Sequence, residues 1–293
     1  FLIDGAPLPE RMRIDHVTIA GPDLNRLRAD LRDIGIDSEY GGVHSNGLTH
    51  MALVPFLDGS YLELISILEP HAPTAPWWDA PIRGGAGACA WAIEAEAKTL
   101  GAFVENLARR GVVVEGPRIM HRVREDGRRA EWELAILGEG PLGSTLPFLI
   151  ADHTPREVRV PPPDPRSSII EGVARVVLGV ESVERTAADF ARCFAAVGDA
   201  RGALERLDVS WPGVELYALR GTPVVLAASR DQESWLARRI ARFGELPCAF
   251  ILECLEGAEL ELATEEVWPE GTVRWWEPDG LSGTRLGFVE RSR

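Results

Sequence analysis

Three side chains in the N-terminal part of the chain have the right types to hold a metal ion. His16, His50 and Glu63 would supply two imidazole nitrogens and one carboxylate. Such a set occupies one side of an ion and leaves the remaining coordination positions open. It suits a divalent ion such as Fe, Mn, Zn, Ni or Mg. Glu63 lies in the run Tyr61-Leu62-Glu63-Leu64-Ile65. A carboxylate buried in a strand of that kind is costly unless it is paired or coordinated. No lysine is near, and the arginines Arg11 and Arg13 flank the first strand. A lone strand histidine is more often a satisfied core or surface residue than a ligand. Two histidines and a glutamate on one face form a stronger pattern.

Strands must bring these residues together. Successive side chains of a strand alternate between faces. If Leu62 and Leu64 pack under a helix, Tyr61, Glu63 and Ile65 point the other way. If Met51 and Leu53 pack under the same helix, His50 and Ala52 join Glu63. His16 shares its face with Ile14 and Thr18. The three candidates are therefore expected on one concave sheet face. Around them the chain reads as a strand near 12–20, a helix over 23–34, and strands near 48–55 and 60–67. After a Pro- and Trp-rich connector (70–82) come a strand near 87–95, a helix over 97–110, and strands near 113–123, 129–137 and 146–151. The unit is βαβββ, used twice.

The pattern then repeats. Ile14-Asp15-His16-Val17-Thr18-Ile19 matches Val173-Ala174-Arg175-Val176-Val177-Leu178, and Cys89-Ala90-Trp91-Ala92-Ile93-Glu94 matches Cys248-Ala249-Phe250-Ile251-Leu252-Glu253, both at an offset of 159. Gly59–Leu64 matches Gly221–Leu226 at an offset of 162. Between the copies, Val160-Pro161-Pro162-Pro163-Asp164-Pro165 is a stiff polyproline-type linker that cannot join a sheet ladder. The expected organisation is a first domain over 11–156, a linker over 157–168 and a second, degenerate domain over 169–293. The second copy keeps the element order, with an amphipathic helix expected between Asp231 and Phe243 and a short final unit. The fold class is α+β, with four βαβββ modules. Arg175 stands where the first copy has His16, and Val225 where it has Glu63. A scaffold role gives little reason for that difference; a site used once does.

Composition narrows the function. The chain has 293 residues, 45% of them apolar, enough for a core without staples. Asp and Glu outnumber Lys and Arg by 45 to 31, so the net charge of −14 disfavours nucleic acid and anionic membranes as partners. No apolar run is long enough to span a bilayer. Four dispersed cysteines without a C-x-x-C pair read as reduced core thiols of a cytoplasmic protein. No signal peptide is legible in Phe1-Leu2-Ile3-Asp4-Gly5, although the absence of Met leaves the true start open. Lys98, the single lysine, follows no phosphate loop. Gly85-Ala86-Gly87 enters a strand rather than a helix, against a dinucleotide fingerprint. No G-x-S-x-G is present.

At this point the residues resemble a family. The run Ile14–Leu24, the segment Gly47-Leu48-Thr49-His50-Met51-Ala52-Leu53, and Asp58-Gly59-Ser60-Tyr61-Leu62-Glu63-Leu64-Ile65 resemble glyoxalase-like domains of the vicinal oxygen chelate superfamily. So do Trp132-Glu133-Leu134-Ala135 and Leu146-Pro147-Phe148-Leu149-Ile150. The resemblance implies paired modules that form curved, half-barrel mixed sheets around a cavity. It also implies a divalent metal that chelates two adjacent oxygens of a small substrate, for isomerase, lyase or dioxygenase chemistry. Some members bind or sequester a ligand without metal. The chain departs from the family pattern in the second module, where Ala90–Trp91 and Pro147–Leu149 cannot ligate. Either the first module supplies all protein ligands, or Glu133, His121 or Glu131 adds one. Tyr61, Trp91, His121 and Glu133 are the expected cavity residues, and Trp77 and Trp78 could add aromatic wall for an apolar substrate. Arg118, His121, Arg122, Arg124, Arg128 and Arg129 read as a solvated hairpin, or else as a cluster that steers an anionic substrate. His44, His71 and His153 sit in or beside loops and are given no chemical role. The expected partner is a small-molecule substrate, and a homodimer stays open.

Overall fold

Each half of the chain builds one eight-stranded mixed sheet. The computed structural model describes residues 12–71, 74, 76–124, 126–164, 168–194, 197–200, 202–258, 260, 264–276 and 284–290. Phe1–Gly5, Arg11 and Pro165 lie outside the described residues. The first half runs β1 (Ile14–Ala20), α1 (Leu24–Asp33), β2 (Glu39–Val43), β3 (Thr49–Pro55), β4 (Tyr61–Ile67), α2 (Pro76–Gly84), β5 (Gly87–Glu94), α3 (Ala97–Arg109), β6 (Val114–Val123), β7 (Arg129–Leu137) and β8 (Phe148–Asp152). A single turn, α4 (Arg156–Arg159), precedes the proline-rich stretch. The second half runs β9 (Ile170–Val180), α5 (Val183–Cys193), β10 (Leu204–Arg206), β11 (Val214–Leu219), β12 (Val224–Ser229), α6 (Trp235–Phe243), β13 (Pro247–Cys254), β14 (Thr264–Trp268), β15 (Gly271–Trp276) and β16 (Arg285–Glu290).

The strand orders are β2-β3-β4-β1-β5-β8-β7-β6 and β10-β11-β12-β9-β13-β16-β15-β14, the same order twice. Each sheet curls into a half-barrel of two βαβββ modules that meet at an antiparallel pair, β1–β5 or β9–β13. The final module is short: the gap between Cys254 and Thr264 leaves no room for a helix the length of α3.

Local chemistry explains the elements. Asp23 caps α1 by accepting from the backbone N–H of Asn25 and Arg26 at 2.9 and 3.2 Å. Leu24, Leu27 and Leu31 then lie on one side of the helix, buried with Ala52, Val54, Leu62 and Leu64 of β3 and β4. The edge strand β2, Glu-Tyr-Gly-Gly-Val, escapes sequence reading because it is short, partly exposed and carries two glycines, which weaken any strand signal.

The concave faces of the two halves differ. In the second half the concave face is filled by Val177, Leu216, Val225, Ile251 and the cluster Trp211, Trp268 and Trp275, all buried. Arg285 lies over the rings of Trp211 and Trp275. Arg175, at the position of His16, pairs with Glu270. In the first half the corresponding space is open. All four cysteines are buried and free. Among the described residues no helix is long and apolar enough to cross a membrane.

Candidate active site

The site grows from the registry of β1 and β4. These strands pair in parallel, with His16 beside Tyr61 and Thr18 beside Glu63. The four side chains share the concave face, and the Thr18 hydroxyl donates to Glu63 Oε2 at 3.2 Å. On the other side of β4, Leu53 stands opposite Glu63 and Met51 opposite Ile65. Met51 and Leu53 therefore face the cavity too, together with Thr49.

That registry corrects the placement of His50. It stands opposite Ser66, on the α1 side of the sheet, near the Asp23 cap and edge-on to Tyr40 at 6.0 Å. Burial and neighbouring His44 lower its pKa. The sequence is ambiguous here because both faces of β3 are apolar: one packs on the helix, the other lines a hydrophobic hollow.

His44 takes the place that His50 was expected to fill. It follows β2 in a tight turn, where its backbone N–H donates to the Thr49 carbonyl and its own carbonyl accepts from the Gly47 N–H, both at 2.9 Å. The turn brings His44 Nε2 to 3.3 Å from Glu63 Oε1, while Nδ1 lies 2.9 Å from the Thr49 hydroxyl. Burial would raise the pKa of Glu63, but the hydrogen bond and charge of His44, with His16 and Arg122, bring it down to about 2. A carboxylate in that state only accepts, so His44 Nε2 is its donor.

His16 is held from behind. Its Nδ1 lies 2.6 Å from Asp15 Oδ1, and its ring stacks on Tyr61 at 4.6 Å with Phe148 edge-on at 5.2 Å. Asp15 is 1% exposed. Burial pushes its pKa up, yet Arg159, His16 and Arg156 hold it well below the usual carboxylate range. Arg159 and Arg156 reach Asp15 Oδ2 at 2.8 and 2.6 Å. An ionised Asp15 accepts from His16 Nδ1–H, and His16 Nε2 lies 4.0 Å from Glu63 Oε2. Arg159 also donates to the Tyr61 hydroxyl at 3.0 Å and pairs with Asp152. Burial raises the Tyr61 pKa, so the phenol stays protonated. Neither Arg156 nor Arg159 was visible as a partner in sequence, because each sits about 140 residues from Asp15.

These groups form the floor of a cavity of about 320 Å³ with apolar walls that include Met120, Trp132, Leu134 and Phe148, and with Trp77 and Trp78 of α2. Tyr61 lines it as expected; three other expected cavity residues do not. Trp91 pairs with Val17 on the opposite face, donates from its indole to the Thr145 carbonyl, and stacks on Phe190 of the second half. His121 and Glu133 belong to the outer face of β6 and β7. Met120 opposite Trp132 and Arg118 opposite Leu134 point inward, His121 is exposed, and Glu133 reaches His153 at 3.0 Å. The arginine cluster divides likewise: Arg128 and Arg129 are solvated, whereas Arg122 is 6% exposed and lines the cavity.

A family model described as a glyoxalase-like domain matches residues 14–207. The chain belongs to the glyoxalase-like domain family. No curated protein sequence matches it. Solved structures share the fold at low identity. A hypothetical protein from Staphylococcus aureus is 13% identical with a TM-score of 0.59, covering 95% of this chain and 99% of its own. A mutant 4-hydroxymandelate synthase from Streptomyces coelicolor is 11% identical with a TM-score of 0.58, over 96% of this chain and 93% of its own. The Mn(II)-bound glyoxalase from Novosphingobium aromaticivorans is 9% identical with a TM-score of 0.52, over 97% and 83%.

Among its described residues the second module contributes no ligand for a divalent ion: its inward positions include Ala92, Phe148 and Ile150. Among the described residues no three His, Cys, Asp or Glu side chains are closed up as a metal-holding group. The first-module set nevertheless fits in kind. Ligand atoms about 2.0–2.2 Å from one ion stand roughly 3–3.5 Å apart. The His44–Glu63 separation of 3.3 Å is in that range, and the His16–Glu63 separation of 4.0 Å is a few tenths beyond it. Each histidine also has its Nδ1 engaged, by Asp15 or Thr49, as ligating histidines do.

Proposed function

We propose that the first-half cavity is an active site of the vicinal oxygen chelate type. In this reading His16, His44 and Glu63 hold a divalent ion, and a small substrate presents two adjacent oxygens to it. One observation carries the reading: the Nε2 atoms of two histidines, each fixed through Nδ1, converge on the two oxygens of one buried carboxylate. A bound ion would supply Lewis-acid stabilisation of charge developing on a substrate oxygen, in isomerase, lyase or dioxygenase chemistry. The chain's own residues do the rest. Asp15, anchored by Arg156 and Arg159, accepts from His16 Nδ1–H and so turns Nε2 towards Glu63. Tyr61 and Phe148 fix the plane of that ring. The apolar walls exclude water, which strengthens every charge interaction at the floor.

The test is elemental analysis of protein purified without chelator and then loaded with divalent ions. About one ion per chain is expected, lost in His16→Ala and His44→Ala and kept in His50→Ala. Wild-type protein that takes up no ion, or a His44→Ala variant that retains it, overturns the reading. A second reading has its own support: Glu63 already accepts from His44 and Thr18, so its oxygens are satisfied without metal. A metal-free binding module would hold its ligand equally well after chelation and show no turnover.

A further inference from the structure

The cavity contains a guanidinium that the metal reading does not use. Arg122, on β6, is 6% exposed and lines the same cavity. Its Nη2 donates to the Arg159 carbonyl at 2.6 Å, and among the described residues its Nη1 has only the thioether of Met51 at 3.3 Å, a weak acceptor. Its Nε has no partner among the described residues. A buried cation left in this state is expensive, and a carboxylate is the partner a guanidinium matches in charge and shape. The other lining cations are already matched: Arg159 by Asp15 and Asp152, and Arg118 by Glu115 at 3.0 Å. Among the described residues the one lining carboxylate, Glu63, is taken by His44 and Thr18.

We propose that Arg122 is the specificity-determining residue for an organic anion, one carboxylate group on an apolar body that fills the aromatic end of the cavity. The proposal rests on the cavity being the substrate site. It adds the chemical class of the substrate and the residue that selects it. Arg122 stands on the inward face of β6 beside Met120, which faces Trp132, so the anion and the apolar body are recognised by neighbouring positions of one hairpin. A neutral ligand of the same shape would leave the guanidinium unpaired, and that difference is the source of the selectivity.

The experiment compares phenylacetate with phenylacetamide, two probes of nearly equal shape, by calorimetric titration of the full chain, with and without chelator. Wild-type protein is expected to bind the acid at least roughly tenfold more tightly than the amide in both conditions. Arg122→Met is expected to bind the two equally. Equal affinities in the wild type, a preference that survives in Arg122→Met, or no binding of either probe at millimolar concentration overturns the proposal. The wild-type comparison stands alone if the variant fails to fold. A preference that disappears on chelation assigns the anion to the metal: it overturns the role of Arg122 and leaves the metal reading intact. A preference that persists in protein that takes up no metal supports Arg122 and counts against the metal reading.

Discussion

Glu63 is a carboxylate with almost no access to water, and its environment compensates with donors instead of solvent. His44 and Thr18 bond to it, and Arg122 adds a positive field. Its folded pKa of about 2 lies below the ordinary 4.5. The unfolded chain therefore binds the proton more readily, and the stabilisation is full above pH 4.5 and lost as pH falls towards 2. In chelator-treated protein this is worth on the order of 3 kcal/mol across that window. Glu63→Gln should flatten the fall in urea-unfolding free energy between these pH values. Asp15, also depressed, should leave some slope behind. An unchanged slope would sink the account of how Glu63 is held. Glu63 and His16 were legible in sequence because a carboxylate and an imidazole stand out in apolar strands. His44 was not, because its value comes from a turn that follows a strand the sequence did not announce. Arg122 was legible only as one charge among several, since the face it occupies depends on the pairing of β6 with β7.

At the scale of elements, β3 separates two functions. One face carries Thr49, Met51 and Leu53 into the cavity, and the other carries Ala52 and Val54 onto α1. Two substitutions of similar cost should therefore have different consequences. Gly47 adopts φ +67° in the turn that presents His44, with open space where a methyl group would stand, so the cost of Gly47→Ala is backbone strain of about 1–2 kcal/mol. Asp23→Ala removes the α1 cap at a cost of about 1 kcal/mol. Both should lower the unfolding midpoint. Gly47→Ala alone should weaken divalent-ion uptake, because it disturbs the histidine, whereas the cap lies across the sheet. Equal effects on ion uptake would show that the two faces are not independent. The alternation rule identified the strands here but could not choose between their faces, since the hollow is as apolar as the core. The direct pairing of Leu53 with Glu63 is what decides it.

In the whole molecule, two copies of one plan have been put to different uses. The recurring offset of about 160 residues made the duplication readable, and the loss of His16 and Glu63 from the second copy hinted at a single site. What the sequence did not reveal is the replacement: Trp211, Trp268 and Trp275 pack against one another on the second half's concave face. The halves join where β5 packs on β13 and β1 on β9. Arg239 of α6 is 4% exposed at this junction and donates to the carbonyls of Ala86 and Ala88 in the first half and, at 2.8 Å, of Pro247 in the second. Thr284 reinforces it by donating to Ala86 and accepting from the Ala88 N–H. Replacing Arg239 with Met keeps the apolar stem and removes a costly buried charge, but it deprives three carbonyls of a shared donor. Of the three, Ala86 still has Thr284 as a donor. The net loss should be about 3 kcal/mol. Because the lost bonds bridge the halves, it should weaken their cooperativity as well as their stability. Calorimetric unfolding of Arg239→Met is expected to show a lower midpoint and two resolved transitions where the parent chain shows one. A single transition at the parent temperature would mean that the strand contacts alone couple the two sheets, and that Arg239 fills space without fastening them.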